Sequence, residues 1–168
     1  MSGRGTTTPR KPSLFGALFS RMLIGLTLAL AAFFGAAFLA QAAETSVTLE
    51  GGIAGTLNLP DGKSNAPAVV LLHGFGSSKD EVGGMYARVA KALADKGVAS
   101  LRIDFRGFGK SDGDAGATSV DLQLEDAKLA VAFLAKTQGV DKSRIGTLGF
   151  SLGGAVAMLF GRRDASRC

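Results

Sequence analysis

The sequence has almost none of the residues on which disulfide and transition-metal chemistry depend. One cysteine, Cys168, and one histidine, His73, occur in 168 residues. A lone cysteine closes no internal disulfide, and no Cys/His cluster stands at metal-ligand spacing, so neither a metal nor a cofactor is expected. An excess of one charge is also lacking once the N-terminus is set aside. Residues 1–42 hold Arg4, Arg10, Lys11 and Arg21 and no acid; the other 15 basic residues face 14 acidic ones. The basic character therefore belongs to the N-terminal segment. The rest has no Lys/Arg block and no basic stripe interleaved with aromatics, which excludes a nucleic-acid partner.

What is present begins with an address. Arg10, Lys11 and Arg21 precede an uncharged, strongly apolar run at 22–43 that closes on Ala40-Gln41-Ala42. A positive start, an apolar middle and a small-x-small end predict a secretory signal peptide at 1–42, cut after Ala42. No Arg-Arg pair precedes the run, which argues against a twin-arginine signal. The competing reading is an uncleaved anchor, because about 20 apolar residues span a bilayer. Either way residues 43–168 are expected outside the cytoplasm, periplasmic or secreted, with membrane association possible only through 22–43.

Residues 45–50 and 53–59 alternate polar and apolar around Gly51-Gly52 and predict a β-hairpin. Residues 68–72 (A-V-V-L-L) form a continuous aliphatic run, as in a strand buried on both faces. Met85, Val89, Ala92 and Leu93 follow at helical spacing, and Gly97 marks the stop. A strand at 98–103 leads to a glycine-rich stretch. Val120, Leu124, Ala127, Val131 and Leu134 then make one helical stripe, with Thr118 and Asp121 as a capping box. A strand at 144–150 and a helix at 152–160 complete the order. Strands alternating with helices after a hairpin predict an α/β fold: a mostly parallel sheet with helices on both faces.

Three stretches carry the chemistry. Gly149-Phe150-Ser151-Leu152-Gly153 is a G-x-S-x-G between a predicted strand and a predicted helix. A serine on such a tight turn stands clear of the sheet as a nucleophile, and Gly149 and Gly153 remove the Cβ atoms that would collide. The helix start also offers free N–H groups to an oxyanion. His73-Gly74-Phe75-Gly76 ends an earlier buried strand, at the same carboxyl edge of the sheet. The backbone N–H groups of Phe75 and Leu152 are the candidate oxyanion hole, and His73 and Gly74 the supporting loop. His73 precedes the serine, which is the wrong order for a general base in this fold. Residues 104–113 (D-F-R-G-F-G-K-S-D-G) match neither glycine-rich phosphate motif and read as a structural turn.

In identity, order and spacing these stretches resemble the α/β-hydrolase superfamily. Within it, H-G-F-G-S-S-K-D-E at 73–81 and the 104–113 loop look like serine-aminopeptidase-like hydrolases and feruloyl esterases. The resemblance implies a serine hydrolase acting on ester or amide bonds of a small molecule, with Ser151 as nucleophile and Phe75 and Leu152 supplying the oxyanion-hole amides. It also implies a later acid and a later histidine. No histidine follows Ser151, and the only later acid is Asp164. The chain is therefore expected to be the N-terminal portion of such a domain with an incomplete triad. The alternative is an inactive fragment or a non-enzymatic binding module.

Overall fold

The computed structural model describes residues 44–165; the expected signal segment at 1–42 lies outside them. Five strands and three α-helices follow in the order β1 (Glu44–Leu49), β2 (Ile53–Asn58), β3 (Ala66–Leu72), α1 (Met85–Asp95), β4 (Ala99–Ile103), α2 (Val120–Lys136), β5 (Val140–Gly149), α3 (Leu152–Ala165). They form one sheet in the order β1-β2-β4-β3-β5. The hairpin strands are antiparallel to each other, and β2 is antiparallel to β4. The β4–β3 and β3–β5 pairs are parallel.

Burial follows from the sequence of the central strands. All five residues of β4 are buried, and β3 buries Val70, Leu71 and Leu72 completely. Successive side chains of a strand point to opposite faces, so β3 serves two cores. Val70 and Leu72 join Leu101, Ile103, Leu124, Ala127 and Val156, which places α2 and α3 on one face. Leu71 joins Tyr86 and Ala90, which places α1 on the other.

Two local expectations differ. The buried face of α1 is Tyr86-Ala90-Ala94, with Met85, Val89 and Leu93 beside it, whereas Ala92 is exposed. The only tyrosine of the chain outweighs Met85 because its ring can be buried while its hydroxyl finds an acceptor. The cap of α2 is Ser119, whose hydroxyl accepts from the Leu122 N–H over 3.1 Å, not Thr118. In addition, β5 starts at Val140 and α3 runs to Ala165, each longer than its apolar pattern.

The topology creates the crevice. From β3 the chain leaves to α1 on one face; from the adjacent β5 it leaves to α3 on the other. Open α/β sheets bind ligands where neighbouring strands diverge in this way, outside their carboxyl ends. The loops after Leu72 and Gly149 meet there.

Candidate active site

The junction of β5 and α3 is a tight turn built on Ser151. Its φ is +51°, in the left-handed region that non-glycine residues seldom enter. Such a conformation costs about 1–3 kcal/mol and persists only where its surroundings enforce it. The enforcing contacts are clear. The Phe150 N–H donates to the Leu72 carbonyl over 3.2 Å, and the Ser151 carbonyl accepts from Gly154 and Ala155 at 3.0 and 3.2 Å. Ser151 is exposed. The flanking glycines are sterically required. A Cβ on Gly149 would meet the Gly153 carbonyl, and one on Gly153 would meet the Leu72 carbonyl and lie 2.6 Å from that of His73.

The second loop lies against this turn. A Cβ built on Gly74 would be 3.4 Å from the Ser151 Cβ. Gly74 and Phe75 begin a turn closed by the Ser77 N–H on the Gly74 carbonyl at 3.2 Å, with Gly76 at φ +70°. A positive φ at that third position is what glycine allows in a type II turn. Among the described residues neither the Phe75 nor the Leu152 N–H has a hydrogen-bond acceptor. Leu152 is the first residue of α3, whose first N–H groups have no partner within the helix. The Phe75 ring is 70% exposed and stands edge-on to Phe108, 5.9 Å between centroids. Phe150, on the serine turn, is also exposed. An aromatic, solvent-accessible lining therefore flanks Ser151.

His73 is buried, and both ring nitrogens are committed. Nε2 accepts from the Phe105 N–H over 3.0 Å, so Nδ1 carries the proton and donates to the Gly74 carbonyl over 2.7 Å. Burial pulls its pKa below the ordinary histidine value, against the opposing effects of the Gly74 hydrogen bond and the Asp104 and Glu81 carboxylates. This imidazole is neutral and oriented to the loop, with no nitrogen free to face Ser151.

Three residues with larger roles than the sequence indicates surround these loops. Glu81 is 7% exposed and accepts the Gly74 N–H on its carboxylate at 2.7 Å. Tyr86 donates its hydroxyl to the Leu72 carbonyl over 3.0 Å, and burial pushes its pKa up to about 12. Asp104 has no exposed surface and accepts from the Lys79 and Lys110 N–H groups at 2.6 and 3.0 Å. It ties the 104–113 turn to the loop after β3. The only sequence signals for them were a charged residue inside a glycine-rich loop and a unique tyrosine.

A cavity of about 690 Å³ lies away from Ser151, between the hairpin and the start of α1. Arg102 lines it, 2% exposed, with Glu44 at 3.1 Å and Asp80 at 3.4 Å balancing its charge. No group of three or more His, Cys, Asp or Glu residues able to hold a metal occurs among the described residues.

Known proteins align with this arrangement. The family model for serine aminopeptidase, S33, matches residues 63–168. Esterase EstD of Thermotoga maritima is 35% identical over 114 residues, covering 66% of this chain and 27% of that protein. An uncharacterized 31.7 kDa protein of Escherichia coli is 36% identical over 110 residues, 66% of this chain and 37% of that protein. The structure of Est1E from Butyrivibrio proteoclasticus with ferulic acid bound superposes with a TM-score of 0.63 at 27% identity, covering 73% of this chain and 48% of the other. The chain thus spans about a third of the length of the curated relatives it matches. With a strained serine between β5 and α3, a glycine loop beside it and a family model spanning both, the chain belongs to the serine aminopeptidase S33 family of α/β-hydrolases.

Proposed function

We propose that the protein is a serine hydrolase that cleaves small-molecule esters, with Ser151 as nucleophile and the Phe75 and Leu152 N–H groups as the oxyanion hole. The observation that carries this reading is the left-handed Ser151 held against Gly74 at the carboxyl edge of the sheet. Ser151 Oγ attacks the acyl carbon, and its proton passes to a base. The carbonyl π electrons move to oxygen, where two N–H groups and the start of α3 oppose the developing charge. The ester C–O bond breaks, and the leaving alcohol takes the proton. Water then attacks the acyl-enzyme by the reverse route and releases the acid.

His73 is not that base, since Phe105 and Gly74 occupy its nitrogens. We assign the histidine base and its acid to sequence outside these 168 residues. Without them the Ser151 hydroxyl stays protonated and weakly nucleophilic. The exposed aromatic rings of Phe75 and Phe150 suit an apolar or aromatic acyl group, and the ferulic acid bound by Est1E is of that kind. Export through residues 1–42, cleaved or retained as an anchor, belongs to the same proposal.

The second reading is an inactive remnant or binding module. It is favoured by the exposed apolar side chains of Leu148 on β5, Phe150 on the serine turn and Met158 on α3, which suit a partner surface. Two measurements separate the readings: nitrophenyl-ester hydrolysis and fluorophosphonate labelling, on the full-length protein and on the 168-residue chain. Labelling and turnover of the full-length protein, both lost in Ser151→Ala, are expected. Identical behaviour of wild type and Ser151→Ala would overturn the catalytic reading.

A further inference from the structure

We infer that Glu81 is a positioning residue for the oxyanion hole, its buried carboxylate fixing the Gly74 peptide so that the Phe75 N–H faces Ser151; this rests on the serine-hydrolase reading above. Glu81 has φ +57° and ψ −178°, a region that glycine alone occupies readily. Glycines do stand close by at 83 and 84, both at positive φ, yet position 81 carries a long acid. Backbone hydrogen bonds hold the residue in that conformation: its N–H donates to Ser78 at 2.9 Å and its carbonyl accepts from Gly84 at 3.2 Å. The strained backbone turns the side chain inward, 93% buried, onto the Gly74 N–H at 2.7 Å.

Gly74 needs such restraint. A glycine has no Cβ to limit its rotation, and Ser151 and Phe150 come no nearer than ordinary contact, 3.4–3.6 Å, to where a Cβ would stand. Two peptide units flank it. Glu81 holds the first through its N–H. His73 Nδ1 and the Ser77 N–H hold the second through the Gly74 carbonyl, at 2.7 and 3.2 Å. A trans peptide is planar, with its C=O and N–H antiparallel. Fixing the Gly74 carbonyl toward His73 and Ser77 therefore aims the Phe75 N–H the opposite way. Loss of the Glu81 contact frees the first plane; the second then keeps only the two contacts at its carbonyl oxygen, about which the Phe75 N–H can turn.

The test uses Glu81→Ala, Glu81→Gln and Glu81→Gly in the full-length protein, with kcat, KM, thermal unfolding and exchange of the Gly74 amide proton. Misplacement of one oxyanion donor lowers kcat by about 10–100-fold with KM within about threefold. That is expected for Ala and Gly, while Gln, which keeps an acceptor oxygen, recovers most of the rate. Glu81→Gly relieves the backbone and is expected to melt no lower than Glu81→Ala while remaining as slow. Unchanged kcat in the folded Ala and Gly variants overturns the inference, as does a Gln variant no better than Ala. Should wild type show no Ser151-dependent activity, the hydrolase reading falls and the oxyanion-positioning role of Glu81 with it. Amide exchange then reads the clamp separately: faster exchange at Gly74 in Ala but not Gln retains it, and equal exchange removes it.

Discussion

The N–H of Phe150 reaches the carbonyl of Leu72 across 3.2 Å, joining the residue before the candidate nucleophile to the residue before the His73 loop. The contact continues the parallel β3–β5 ladder one step past Gly149. Residues 78 positions apart in sequence are thereby locked at one edge of the sheet. The Leu72 carbonyl also takes the Tyr86 hydroxyl, so α1 is tied to the same point.

The closeness of Gly153 to that edge makes it intolerant of any side chain. A Cβ there meets the Leu72 carbonyl, which is backbone and cannot move aside cheaply. Gly153→Ala is expected to destabilise the protein by about 1–3 kcal/mol, as overpacking does. Gly74→Ala places its Cβ at ordinary contact, 3.4–3.6 Å from its neighbours, and is expected to cost less. Urea midpoints of the two variants compare them directly; an equal loss would contradict the steric assignment.

Tyr86 predicts an alkaline dependence. Burial and the Glu81 carboxylate raise its pKa to about 12, against about 10 in an unfolded chain. The native state favours the protonated phenol, so this contribution is complete below pH 10 and is lost as pH rises toward 12. Tyr86→Phe is expected to lack that part of the slope while losing about 0.5–1.5 kcal/mol for the hydrogen bond at neutral pH. Parallel stability curves for wild type and variant between pH 9 and 12 would refute it.

His73 predicts an acid dependence of the opposite sense. Its folded pKa lies below the ordinary value, so the native state favours the neutral ring. The stability it contributes is present above about pH 6.5 and declines as pH falls toward the folded pKa. Protonation would put a proton on Nε2, against the Phe105 N–H. As the only histidine of these 168 residues, it gives one pair of imidazole C–H signals in a proton spectrum of this chain. Its midpoint is expected below 6.5, and a midpoint above that value would mean the ring is not buried as described.

Asp104→Asn tests the tie between the loops after β3 and β4. One amide oxygen cannot accept from both Lys79 and Lys110, and its NH2 would face one of those donors. A buried donor left unmatched costs about 1–3 kcal/mol. The variant is expected to lose that amount in urea unfolding, and no loss would show the tie to be dispensable.

The sequence by itself determined the alternation of elements, the two-sided burial of β3 and the strand–turn–helix setting of Ser151. Each follows from local signals: apolar period, glycine placement and chain order. It also indicated that His73 sits in a loop role, because position relative to the serine is a property of order alone. Tertiary structure decided the rest. Ser119 and Thr118 are both good caps by composition, and only the geometry of the helix start selects Ser119. Ala92 lies within the apolar spacing of α1, but the sheet accepts the Tyr86-Ala90-Ala94 face because a phenol hydroxyl finds the Leu72 carbonyl there. Glu81 enters the sequence reading only as the end of the 73–81 stretch, and its strained backbone and burial emerge only in the structure, where its carboxylate meets the Gly74 amide at 2.7 Å. Local chemistry sets what each segment is; which polar groups meet is set by long-range pairing, and that is a matter of distance that no local pattern encodes.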